Sequence, residues 1–109
     1  MTNEKRIEEM LSHFGVTIEQ VKAPTRKRHI TICRHYCMII LRMTTPMSLN
    51  AIGEWFGGRD HTTVIKAAIN VRDYEYDWRH KAAYKVFQRS LVNARAISEP
   101  LPYLAGYSI

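Results

Sequence analysis

Residues 53–66 read GEWFGGRDHTTVIK, and the parsing of that stretch sets the fold. A helix-spaced apolar run, Leu49, Ile52 and Phe56, leads into it, with Ser48 in place to cap its start. Gly57 or Gly58 supplies the positive φ that a tight helix exit needs. Asp60 then stands where an N-cap belongs, and Val64, Ala67, Ala68 and Val71 fall at i, i+3, i+4 and i+7. Two helices joined by a short glycine-containing turn make a helix-turn-helix, here Ser48 to about Val71, whose second helix enters the major groove of DNA.

Once that apolar stripe faces inward, Asp60, His61, Thr62, Thr63 and Lys66 are left exposed at the start of the second helix. Each type suits the edge of a base pair. A carboxylate accepts from the cytosine amino group, a threonine methyl packs on the thymine methyl, and a lysine donates to guanine or to phosphate. Free backbone N–H groups at the helix start add an anion site. The bland readings stand beside these. Asp60 can serve as a cap alone or combine both roles, Thr62 and Thr63 are ordinary first-turn residues, and a lone lysine is commonly just solvated.

Working outward, the remaining signals are helical. Ile7, Met10, Leu11 and Phe14 make one stripe, stopped by Gly15, and Thr17-Ile18-Glu19-Gln20 reads as a capping box for a short helix. Residues 23–28, APTRKR, have no periodicity and read as a basic loop. A third helix is expected near Thr31, capped by its hydroxyl, with Tyr36, Ile39, Ile40 and Met43 inward and an end at Thr44-Thr45-Pro46. A last helix over about 77–96 is expected to pack Trp78, Tyr84, Phe87, Leu91 and Ala94 against the rest. The tail, residues 97–109, reads as irregular. Fold class is therefore all-α: a single compact domain of about six helices over residues 1–96, with the helix-turn-helix at about 48–72.

The 109 residues carry 16 Lys and Arg against 10 Asp and Glu, a net charge of +6. No acid occurs between Glu19 and Glu54, an interval holding Lys22, Arg26, Lys27, Arg28, Arg34 and Arg42. Such a span points to a polyanionic partner. No apolar run approaches the ~20 residues of a membrane-spanning helix, and the start lacks a secretory pattern. The chain reads as cytoplasmic, and two cysteines fit a reduced compartment.

The run FGGRDHTTV, Phe56 to Val64, is similar to the signature of the C-terminal DNA-binding domain of DnaA, the bacterial chromosomal replication initiator. Phe14-Gly15-Val16-Thr17, the Arg26-Lys27-Arg28 loop and Ser48-Leu49 with Ile52-Gly53 extend the resemblance over roughly residues 4–75. It implies a helix-turn-helix fold of the DnaA C-terminal, Trp-repressor-like kind that reads DnaA-box-like duplexes. Asp60, His61, Thr62, Thr63 and Lys66 would lie in the major groove. Arg26, with Arg28 as runner-up, would enter the minor groove, whose narrow A·T form attracts arginine. Lys27, Arg34, Ser48, Leu49, Asn50 and Arg59 would meet phosphate. Lys66 stands where the family usually has His, Asn50 where it usually has Pro or a similar residue, and Cys33 where a proline commonly starts the helix. No G-x-x-x-x-G-K-[ST] occurs in the sequence, so the family's ATPase activity is not implied.

Other constellations carry less. His29, Cys33 and Cys37 fall at i, i+4 and i+8 with His35 nearby, but structural zinc takes four ligands in two separated pairs. Asp60-His61 are adjacent on a helix start and do not face each other, which argues against an enzyme. Tyr74, Tyr76, Trp78 and Tyr84 could stack on single-stranded bases, though packing explains most of them. No cofactor or metal is expected. The partner is double-stranded DNA, with the alternative that the domain presents its last helix and tail (Leu101, Tyr103, Leu104, Tyr107) to a protein. The ordinary start and added last helix favour a complete small protein.

Overall fold

The structure is a computed structural model and describes residues 1–95. Among them are six α-helices and no strand: α1 Asn3–Phe14, α2 Ile18–Lys22, α3 Arg28–Thr44, α4 Leu49–Trp55, α5 His61–Tyr74 and α6 Lys81–Arg95. A 3-10 turn, Trp78–His80, precedes α6.

Local chemistry sets most of the boundaries. Thr2 accepts from the Lys5 N–H to start α1, and Gly15 ends it at φ 64°. The Val16 N–H reaches back to the Leu11 carbonyl at 3.0 Å, closing the left-handed exit in the way only glycine tolerates cheaply. Thr17 and Gln20 form the expected reciprocal box on α2. Ser48 accepts from the Ala51 N–H at 3.0 Å, and Asp60 from the Thr63 N–H at 3.1 Å.

Helix α3 is the axis of the fold. Ile30, Ile32, Cys33, Tyr36, Cys37 and Met38 to Leu41 are all buried, so it is apolar on nearly every side. A helix of that kind has to sit in the middle, and α1, α2, α4, α5 and α6 all pack on it. Tyr36 is the aromatic hub, with ring centroids 5.3 Å from Tyr74, 5.5 Å from Phe87 and 6.5 Å from Tyr84. Through these rings α5 and α6 meet on α3, while α6 also packs on α1.

Two expectations need correcting. Helix α3 begins at Arg28 rather than near Thr31, and its N-cap, Lys27, makes no side-chain cap bond. The Thr31 N–H already donates to the Lys27 carbonyl at 2.9 Å, so Thr31 lies inside the helix and caps nothing. Trp78, expected to pack inward, is 83% exposed; His80 is the buried member of the 3-10 turn, stacked on Tyr74 at 4.1 Å. The separate turn before α6 shifts the helical phase, and this removes Trp78 from the stripe of Tyr84 and Phe87. Tyr76 is also exposed. The tail and its apolar residues lie outside the described residues.

Candidate nucleic-acid interface

The α4–α5 turn is held by glycines at both ends of a short path. Gly57 and Gly58 take φ 90° and 76°, values that side chains rarely adopt. The Arg59 N–H closes the turn on the Gly53 carbonyl at 2.8 Å. A Cβ at Gly53 would collide with the Arg59 carbonyl, so α4 and the turn that leads into α5 lie too close for a side chain between them. This fixes where α5 starts. With Val64, Ala67, Ala68 and Val71 buried, the start of α5 presents Asp60, His61, Thr62 and Lys66 exposed, while Thr63 is half-buried.

The two threonines differ. The Thr63 N–H and hydroxyl both lie within bonding distance of Asp60 Oδ1, at 3.1 and 3.3 Å, so Thr63 belongs to the cap. Thr62 lies on the opposite side of the helix from Val64, on the stripe it shares with Lys66 at i+4. The Thr63 N–H bond holds the Asp60 carboxyl below its ordinary range, so it is an anion at neutral pH. On α4, Ser48 is committed to its cap through Oγ, and Leu49 is half-buried; Asn50 is exposed.

Arg26 and Lys27 are exposed in the segment between α2 and α3, and Arg28 is exposed on the first turn of α3. Arg34 is a different case. Expected to reach phosphate, it is instead 5% exposed, and its guanidinium is spent on carbonyls: Nε on Val21 at 2.7 Å, Nη2 on Ala23 at 3.0 Å and on Thr25 at 3.2 Å. Arg59, also expected to reach phosphate, is half-buried, and its guanidinium is likewise directed at carbonyls. Its Nη2 donates to the Ala23 carbonyl at 2.8 Å, and its Nη1 to Lys22 at 3.3 Å and to the Phe56 carbonyl. Burial lowers both arginines from the usual value, and Arg59's charge lowers Arg34 further. Through these nitrogens both arginines bind the main chain just before Arg26.

The basic segment and α5 share one side of the molecule. Arg26, Arg28, Thr31, Ile32 and His35 face Asn70 and Tyr74 across a groove of about 360 Å³. Asn70 was not singled out in the sequence, although it sits one turn beyond Lys66 on α5. His35 Nδ1 pairs with the Tyr74 hydroxyl at 2.9 Å. Cys33 and Cys37 are buried with sulfurs 4.0 Å apart and His29 is exposed, so these residues and His35 do not converge.

Burial, and then the charge of Arg34, lowers His35 from 6.5 to about 4. The unfolded chain therefore takes up this proton at higher pH than the folded one. The group's contribution is complete above about 6.5 and is lost as pH falls toward about 4. Stability is expected to drop by on the order of 2 kcal/mol over that window, allowing for partial exposure. His35→Asn should flatten that part of a pH series of urea titrations; an unchanged slope would refute it.

A family model described as bacterial DnaA protein helix-turn-helix matches residues 5–71, from α1 into α5. The chain belongs to this DnaA family. Chromosomal replication initiator protein DnaA of Chloroflexus aggregans is 47% identical over 53 residues, 49% of this chain and 11% of that protein. The DnaA of Crocosphaera subtropica is 37% identical over 73 residues, 66% of the chain and 16% of the relative. That of Bifidobacterium animalis subsp. lactis is 40% identical over 67 residues, 62% and 12%. The chain thus spans less than a fifth of the length of these relatives, and the part it matches is the DnaA DNA-binding helix-turn-helix domain. The 109 residues contain no ATPase module of the DnaA kind, and no described helix is long and apolar enough to cross a membrane.

Proposed function

We propose that this DnaA-type domain binds double-stranded DNA at DnaA-box-like sites, through α5 in the major groove and Arg26 in the adjacent minor groove. The observation that carries the reading is the shared side: Arg26 and Arg28 flank the same groove as Asn70 and Tyr74 of the helix that exposes Thr62 and Lys66. In this reading Asp60, His61, Thr62 and Lys66 meet base edges, and Thr63 backs the cap. Lys27, Asn50 and the main chain at Ser48 and Leu49 meet phosphate. Arg28 supports Arg26 from the first turn of α3.

The electrostatics of α3 support a polyanion. Lys27, Arg28 and His29 cluster at its start, with no acid in the first turn and no side-chain cap. A helix start carries partial positive charge, so cations there are disfavoured in the free protein. A DNA phosphate at that point relieves the repulsion and releases counterions, which makes affinity fall with salt.

Lys66 sets the expected departure from standard boxes, since it offers a donor and a charge where the family usually has His. Thr62→Ala and Lys66→Ala are each expected to cost about 1–3 kcal/mol on a box duplex and far less on a scrambled one. Fluorescence anisotropy at two salt concentrations measures both. Equal losses on the two duplexes would leave only nonspecific binding, and no binding to either at low salt would end the proposal. The alternative of a protein-docking α6 gains little, because its stripe of Ala83, Val86, Phe87 and Ala94 is already buried.

A further inference from the structure

Four contacts converge where the end of α2 meets the α4–α5 turn. Arg59 donates to the Lys22 and Ala23 carbonyls, and Arg34 to those of Val21, Ala23 and Thr25. Gly57 lies so close to the Lys22 carbonyl that a Cβ there would collide with it. The Lys22 ammonium sits 3.9 Å from the Trp55 ring centroid, over its face. Two guanidinium groups thus share the Ala23 carbonyl, and no acid pairs with either among the described residues.

That arrangement is unusual for charge alone. Two cations, with the charge of Arg59 close enough to lower Arg34, are held together by the carbonyls of Val21, Lys22, Ala23 and Thr25. Arginine can do this because its planar fork donates in several directions at once, whereas a lysine ammonium offers one compact point. The carbonyls they hold run from Val21 to Thr25, the residue before Arg26, and Arg59 itself lies in the turn that leads into α5. The basic segment is therefore tied to the start of the recognition helix and not merely near it.

We propose that Arg59, with Arg34 beneath it, is a positioning residue that locks the minor-groove arginine at a fixed separation from α5, so the domain reads the spacing between an A·T flank and the box core. This deepens the DNA-binding proposal and rests on it. One base pair displaces the flank by about 3.4 Å and rotates it by about 35°. A segment pinned through four carbonyls does not follow such a move, and an untethered loop does.

The test uses the full chain and four duplexes: box core with A·T flank, core with G·C flank, core with the A·T flank moved out by one base pair, and scrambled core. In the native protein, moving the flank is expected to weaken binding as much as replacing it, about tenfold. Arg59→Lys keeps the charge and is expected to keep core-over-scrambled discrimination, while flank discrimination falls several-fold. In that background Arg26→Ala should add little. Native protein that tolerates the moved flank overturns the proposal, and this arm needs no variant to fold. So does an Arg59→Lys protein with unchanged flank discrimination, or one that loses core and flank discrimination equally. Failure of native protein to prefer core over scrambled duplex instead removes the underlying DNA-binding reading, so the two failures are distinct.

Discussion

A single methyl group added at Gly53 is expected to lower the melting temperature by more than about 10 °C, the equivalent of roughly 3 kcal/mol in a domain of this size. Gly53 lies in the interior of α4 and is buried, with ordinary helical backbone. Its requirement is therefore spatial and not torsional. The new Cβ would strike the carbonyl carbon and oxygen of Arg59 and press on the Asp60 carbonyl. These are backbone atoms, and Arg59 is held by its own N–H bond to the Gly53 carbonyl and by three guanidinium bonds. Nothing flexible is available to yield. Gly58→Ala is the matched control: its φ of 76° is left-handed, but no atom lies within 4 Å of the added Cβ. It should lose only the torsional cost of about 1–2 kcal/mol. Differential scanning calorimetry of both variants separates the two causes, and a Gly53→Ala transition within about 3 °C of native would contradict the close approach.

Arg34→Met is expected to destabilise the fold by about 2–4 kcal/mol, because removing one partner leaves carbonyls that have lost their donor. Methionine keeps much of the volume and the flexible stem, so the loss reports the hydrogen bonds more than a cavity. The carbonyls of Val21, Ala23 and Thr25 would all be affected, and only Ala23 keeps a second donor, Arg59. Relief of burying a charge offsets part of this, which is why the expected figure is below a simple sum of three bonds. Arg34→Lys should recover little, since one ammonium cannot span the three acceptors. Urea unfolding at pH 7 measures it. A stability change below about 0.5 kcal/mol in Arg34→Met would return Arg34 to the surface role expected of an isolated basic residue.

Arg34 also shows how far the sequence could be read. The inward stripe read from the sequence, Tyr36, Ile39, Ile40 and Met43, leaves Arg34 on the opposite side of α3, and only the packing of helices all around α3 buries that side too, with Ile30, Cys37 and Leu41. Its charge and its place in an acid-free span argued for phosphate, and the helical phase gave no sign against it. Arg59 had no such signal either. It follows two glycines and precedes a cap, and the direction of its side chain depends on backbone angles that composition does not specify. Trp78 was misplaced for a related reason: extending one helical phase back through residues 77–80 overlooked the 3-10 turn, which rotates that residue into solvent.

What residue order alone determined is the set of local elements and their apolar faces. The caps at Thr17, Ser48 and Asp60, the stop at Gly15, the glycine turn and the inward stripe of α5 all depend on interactions within a few residues. Such signals survive in a linear string because their partners are neighbours in it. Tertiary structure alone decided where α3 begins, which arginines stay available to a ligand, and that the basic segment borders α5. Each of these depends on groups far apart in the chain, such as Arg59 and the carbonyls of Lys22 and Ala23, meeting only after the helices have packed. A buried guanidinium and a solvated one are the same letter in the sequence; the carbonyls brought within its reach distinguish them.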